Sequence, residues 1–128
     1  MAQLVTNGIK ISVKTRYSGV IHTKEAAEHV FTYYISISNT SKNTIQLLER
    51  HWEITDSMNK TIIVDGEGVV GQTPILDVDD HYTYRSNSTL KGHFGIMKGW
   101  FTMMNLHTSE KFIVTIPTFQ LNSKAILN

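Results

Sequence analysis

Residues 65–76 read DGEGVVGQTPIL and place Gly66, Gly68 and Gly71 in the spacing G-x-G-x-x-G. In a dinucleotide-binding unit this spacing lets backbone amides close on a pyrophosphate, and the helix that follows adds its N-terminal amides and dipole. No helix can follow here. Pro74 biases Thr73 away from helical geometry, and an aspartate-rich turn arrives at Asp77 to Asp80. The glycines are therefore expected to supply positive φ, or a bulge, where the chain crosses between sheets. The amides around Gly66, Gly68 and Gly71 could still form a nest for a small anion such as a nucleotide phosphate or pyrophosphate.

Arg50 is the cation placed to clamp such an anion. It shares a face with Leu48 and Trp52 on an alternating stretch, while His51 points the other way. The ordinary role of such an arginine is to pack its stem at a sheet rim and pair its head with a carboxylate. Asp77, Asp79 and His81 follow at i, i+2 and i+4, which puts them on one side of an extended segment. Two carboxylates and an imidazole suit a divalent cation, although the same residues also make an ordinary solvated turn. Lys10, Lys14 and Arg16 line one face of the first long strand. They protect an edge against aggregation or contact phosphates, but no aromatic residues are interleaved with them. The six histidines show no H-x-x-x-H pair, and G-x-S-x-G, H-E-x-x-H and P-loop patterns are missing. The expectation is a protein that is not an enzyme and needs no cofactor.

The bulk properties set outer bounds. A chain of 128 residues fits one domain, residues 1–128, and buries roughly two-thirds of its unfolded surface without staples. Without cysteine there is no disulfide framework, thiol nucleophile or thiolate zinc site. Lys plus Arg is 12 and Asp plus Glu is 11, a balance that makes no electrostatic case for nucleic acid or an anionic membrane. The first eighteen residues have no apolar h-region, which leads us to expect a cytoplasmic location.

The elements that must position these residues alternate with period two, the mark of half-buried strands. Ile9, Ile11, Val13 and Tyr17 face one way; so do Phe31, Tyr33, Ile35 and Ile37, and then Leu48, Trp52 and Ile54. Tyr82 and Tyr84 share a face, as do Met97, Phe101 and Met103. Phe112, Val114 and Ile116 alternate, and Phe119 and Leu121 resume one step out of phase. The slip falls at Pro117, which cannot donate to a ladder, so a bulge or a change of sheet belongs there. Residues 24–29, KEAAEH, are expected to form one helical turn or an extended lead-in. About seven short strands at this spacing predict an all-β, two-sheet antiparallel sandwich of immunoglobulin or fibronectin type III style.

Five strings now combine: LLERHWEITD (47–56), GEGVVGQTPIL (66–76), YTYRS (82–86), GIMKGWFTM (95–103) and FIVTIPTFQL (112–121). Together they resemble the ApaG family over nearly the whole chain, most weakly before residue 30. The resemblance implies a fibronectin type III-like sandwich, a link to cobalt and magnesium tolerance, and, from the domain's occurrence in F-box proteins, a role in partner binding. This chain departs from the family pattern at Val78-Asp79-Asp80, at Ser86-Asn87 and at Gly99-Trp100-Phe101-Thr102-Met103, where a tyrosine is lost. The leading expectation is a non-enzymatic binding or accessory module that contacts another protein, with a homodimer through exposed strand edges also open. A small-anion site at the glycine loop is the alternative, and divalent metal binding at Asp77, Asp79 and His81 the second.

Overall fold

The fold, a computed structural model describing residues 1–124, is built from strands alone; no helix occurs among these residues. In chain order the strands are β1 (Ala2–Thr6), β2 (Ile9–His22), β3 (Ala27–Asn39), β4 (Ile45–Asp56), β5 (Ile62–Glu67), β6 (Ile75–Leu76), β7 (His81–Leu90), β8 (Phe94–Asn105) and β9 (Lys111–Asn122). Two antiparallel sheets form a sandwich, as the alternation predicts. The first runs β1-β2-β3-β7; the second runs β5-β4-β8-β9, with the two-residue β6 pairing the far end of β4. Among the described residues the count is nine rather than about seven, because β1 and β6 are too short to show a period. Residues 24–29 take the extended alternative: a bend at Lys24 and Glu25 leads directly into β3.

The inward residues are those of the period-two pattern. Ile9, Ile11 and Val13 on β2 and Phe31, Ile35 and Ile37 on β3 meet Met97, Phe101 and Met103 on β8 and Val114, Ile116 and Leu121 on β9, all buried. Tyr33, Trp52 and Phe119 close one end of this core, with Trp52 edge-on to both partners at ring centroid distances of 5.4 and 5.8 Å.

Two bulges set the phase. On β9, Phe119 pairs with Met97 and Ile116 with Gly99, so Pro117 and Thr118 are accommodated opposite the single residue Lys98. Ile116 and Pro117 are both buried, which produces the slip seen in the sequence. The second bulge corrects the reading of β4. Leu47 pairs with Met103 and Glu49 with Thr102, leaving Leu48 as the extra residue. Leu47 is fully buried and Leu48 only half-buried, so Leu47, Arg50 and Trp52 form the inward set.

Asn39 fastens the place where the chain passes between sheets. It is fully buried at the end of β3. Its Nδ2 donates to the carbonyls of Asn43 at 2.8 Å, Leu76 at 3.0 Å and Asp77 at 3.2 Å, and its Oδ1 accepts from the Ser41 amide at 3.0 Å and hydroxyl at 2.6 Å. Truncating this side chain strands the buried carbonyl of Leu76 and the part-buried carbonyl of Asp77 and amide of Ser41. Asn39→Ala is expected to lower unfolding free energy by about 3 kcal/mol, read as a lower urea midpoint with an unchanged denaturant slope.

Candidate functional site

The glycine loop lies along one edge of β4 and is not itself a crossing between sheets. β5 pairs with Glu49–Ile54 and β6 with Ile45–Gln46, so residues 68–74 bow outward between two contacts on the same strand. The passage to the other sheet comes afterwards, at Asp77 to Asp80. The loop tip is a tight turn in which Gln72 N donates to Val69 O at 2.9 Å and Val69 N to Gln72 O at 2.8 Å. Its central residues, Val70 at φ 47° and Gly71 at φ 76°, are both left-handed, the form that matches strand twist in hairpins. A β-branched residue is costly in that region, on the order of 1–2 kcal/mol, so Val70 holds stored strain at the tip.

Three glycines serve three needs. A Cβ on Gly66 would sit 2.6 Å from the Arg50 guanidinium carbon, so glycine is what lets the arginine lie flat against β5. A Cβ on Gly68 would sit 2.2 Å from the Gln72 carbonyl oxygen, and Gly68 also has φ +64°. At Gly71 a Cβ would meet open space, so only the left-handed φ of +76° asks for glycine.

These contacts change the roles assigned to the loop. The amide of Gly68 donates to Leu48 O at 2.7 Å, and those of Val69 and Gln72 close the turn, so these amides are spent inside the protein. What the loop turns toward Arg50 is carbonyl oxygen. The Arg50 Nη1 donates to Glu67 O and Gly68 O, each at 3.0 Å. The carboxylate partner expected for Arg50 is replaced by two backbone carbonyls, which keep the guanidinium's positive charge uncancelled.

Beneath the tip is a cleft of about 230 Å³ between the sheets, lined by Arg50, Trp52, Val70, Gly71 and, from the first sheet, Tyr33, Tyr84 and Ser86. The two tyrosines come from paired neighbours, β3 and β7, whose inward residues Tyr33 and Ser86 stand opposite each other. The Tyr84 hydroxyl is buried with no hydrogen-bond partner among the described residues. Burial pushes the Tyr84 hydroxyl well above its ordinary range, helped by Tyr33 and opposed by Arg50. Burial also raises Tyr33, opposed by the Ser86 hydroxyl and by Arg50. Both phenols therefore keep their protons at neutral pH and act as donors.

Asp77, Asp79 and His81 are not assembled as a metal site. Asp77 accepts from the Thr44 hydroxyl at 3.0 Å, and its amide donates to the Asp80 carboxylate at 3.0 Å. Asp79 occupies a left-handed turn position at φ 69°. No three metal-ligating side chains converge among the described residues. The set is a hydrogen-bonded turn, and the i, i+2, i+4 argument fails because Asp79 breaks the extended geometry it assumed.

The outward face of β4 carries a cluster that sequence reading passed over. His51 stacks on Trp100 of β8 at a centroid distance of 3.9 Å and 17° between planes. Its Nδ1 meets Asp65 of β5 at 2.5 Å and its Nε2 meets Glu53 at 3.0 Å; Lys98 lies 3.7 Å from the other Glu53 oxygen. Hydrogen bonds to Glu53, then Asp65, raise the His51 pKa above its ordinary 6.5. The signal was available in the alternation of Glu49, His51 and Glu53, but the Trp100 and Asp65 partners come from strands far off in sequence.

Two measurements follow. Gly68→Ala is expected to cost about 2–4 kcal/mol, combining overpacking with left-handed strain, and Gly71→Ala only about 1 kcal/mol; thermal unfolding that ranks them the other way would contradict the roles given. For His51, a raised folded pKa means its stabilisation is complete below about pH 6.5 and disappears as pH rises through the folded value. The stability gap between the native protein and His51→Gln should therefore be larger at about pH 6 than at about pH 9. Because Asp65 is exposed, the change should stay under about 1 kcal/mol.

Comparison with known proteins agrees with this architecture. The ApaG domain family matches residues 21–105. Protein ApaG of Vibrio vulnificus (strain YJ016) is 42% identical over 120 residues, 94% of either chain. An X-ray structure of a structural genomics target superposes with a TM-score of 0.85 at 38% identity, covering 91% of this chain and 87% of the other. A crystal structure from Bordetella pertussis described as the ApaA protein gives a TM-score of 0.78 at 31% identity, covering 89% and 92%. The strings that carry the resemblance build β4, the glycine loop, β7, β8 and β9, and the chain belongs to the ApaG family.

Proposed function

We propose that the chain is a non-enzymatic binding module that takes a small, multiply charged anion, of the size of phosphate or pyrophosphate, in the cleft beneath the glycine loop. The observation that carries this reading is the donor set: an uncancelled guanidinium at Arg50 beside the buried, unpartnered hydroxyl of Tyr84. A buried hydroxyl such as that of Tyr84 is ordinarily satisfied, so an acceptor-rich ligand removes an energetic deficit as it binds. The cleft volume of about 230 Å³ falls below the range for drug-sized ligands, which limits the occupant to an inorganic anion or the phosphate end of a nucleotide. Recognition runs through side chains rather than through the Gly66, Gly68 and Gly71 amides. The left-handed tip at Val70 and Gly71 forms the roof.

A protein partner is the second reading. β5 is an edge strand of the second sheet, and it presents Ile62 and Ile63 to solvent, with Met58 exposed in the preceding turn. An unpaired edge bearing apolar side chains is suited to strand addition by another chain, including a second copy of this one.

Titration calorimetry with pyrophosphate tests the first reading. Heat of binding is expected with the native protein, at least tenfold weaker binding with Arg50→Ala, and a loss of about fivefold with Tyr84→Phe. Binding must also raise the melting temperature, because only the folded state holds the cleft. Absence of heat and of any thermal shift up to about millimolar pyrophosphate would leave the strand-edge reading in its place.

A further inference from the structure

The near-balance of charge conceals a segregation between the sheets. The first sheet carries Lys10, Lys14, Arg16 and Arg85 against the single carboxylate Glu28, and residues 1–24 contain no acid at all. The second sheet carries five of the 11 acids, Glu49, Glu53, Asp56, Asp65 and Glu67 on β4 and β5, and all the others except Glu28 lie in the connections between strands. Every ion pair among the described residues involves Glu53 or Asp65 of that sheet, and none draws on Lys10, Lys14, Arg16 or Arg85. The outward face of the first sheet is thus a field of cations without internal neutralisation.

The strand register supplies the aromatic element that the linear sequence lacks. Lys14 pairs with Tyr34 and Tyr34 with Arg85, which sets a half-exposed phenol between two cations in one row across β2, β3 and β7. In the next row Arg16 pairs with Thr32 and Thr32 with Asn87. That row is fixed by hydrogen bonds: Ser18 Oγ and Thr32 Oγ1 are 2.7 Å apart, and Thr32 Oγ1 donates to Asn87 Oδ1 at 3.0 Å. With Oδ1 engaged, the Asn87 amide nitrogen is left as a donor. Arg16, Tyr34, Arg85 and Asn87 line one polar hollow of about 300 Å³ on this face.

We infer that the outward face of the first sheet binds single-stranded nucleic acid, with Tyr34 stacking a base and Lys14, Arg16 and Arg85 contacting the flanking phosphates. A basic track with an aromatic platform is what such a strand requires, because every base has a π-face and the backbone is uniformly charged. An open sheet surface with a half-exposed phenol and exposed guanidinium groups also suits unstacked bases better than it suits a duplex groove. This surface lies outside the cleft and does not depend on anion binding there. Arg85 borders both hollows, so the test relies on Arg16 and Tyr34.

Fluorescence anisotropy of labelled oligothymidylate and oligouridylate, each about 20 nucleotides long, titrated with the intact protein at low salt, reads the interaction. Saturable binding to either probe is expected, weakening as salt rises because phosphate contacts release counterions. Tyr34→Ala should weaken binding about tenfold at an unchanged salt slope. Arg16→Glu should weaken it and lower the slope by about one. Lys98→Ala, which removes a cation from the opposite sheet, should bind like the native protein. Both exposed-face variants should melt with the native protein, which keeps loss of binding separate from loss of fold. No anisotropy change with either probe, or equal binding by native protein and Tyr34→Ala, overturns the assignment; so does equal loss with Lys98→Ala.

Discussion

A positive charge on the inward side of β4 is the constraint around which the functional end of this molecule is arranged. Arg50 occupies a position in phase with Leu47 and Trp52, where the neighbouring inward side chains are apolar. A guanidinium placed there must recover its hydrogen bonds or lose several kcal/mol. It does so with two carbonyls, Glu67 O and Gly68 O, which brings β5 so close that a side chain at Gly66 would displace the guanidinium. Having brought its carbonyls inward, the chain must turn back within a few residues to reach β6 on the same edge of β4. The left-handed conformations at Gly68, Val70 and Gly71 accomplish that reversal. The G-x-G-x-x-G spelling is thus dictated by an arginine and a return path, and it shares with a dinucleotide fold only the physical reasons for glycine.

The same constraint explains why the cleft is a donor site. Neutral carbonyls satisfy the guanidinium without cancelling its charge, and the first sheet contributes phenols and a hydroxyl rather than carboxylates. Burial keeps the phenols protonated, and Arg50 opposes that effect without overcoming it. Across β4 the logic reverses. His51, one residue along, faces outward between Asp65 and Glu53, and each carboxylate favours the charged imidazole. Consecutive residues of one strand therefore belong to environments of opposite character, as the period of two demands.

The sandwich was legible because burial in a two-sheet fold writes itself as alternation. Ile9, Ile11, Val13, Phe31, Ile35, Ile37, Met97, Phe101 and Met103 all fall where that pattern puts them. The slip at Pro117 was legible too, because proline marks its own bulge. The bulge at Leu48 was not: two adjacent leucines satisfy either phase, and only pairing with Met103 selects Leu47. Of the candidate site, Gly66, Gly68, Gly71 and Arg50 were found as residues, but which groups of the loop face the arginine is a matter of register. Asp77, Asp79 and His81 share a side only in extended backbone, and the left-handed turn at Asp79 is not visible in their spacing. Tyr33, Tyr84 and Ser86 went unnoticed as a set since β3 and β7 are some fifty residues apart and meet only across a ladder.

β7 joins the cleft and the outer face of the first sheet. Along Tyr84, Arg85 and Ser86 the chain points inward, outward and inward, so a single short stretch lines the cleft with its even positions and arms the outer face with Arg85. Asn87 then joins Thr32 on the outside. A sheet strand can serve two surfaces this way only if both of its faces are constrained, and here both are: the inner by Tyr33 and Trp52, the outer by the hydrogen-bonded row from Ser18 to Asn87. The string YTYRS is therefore a wall shared by two sites. A substitution that shifts its register by one residue exchanges every inward group for an outward one and removes both surfaces together.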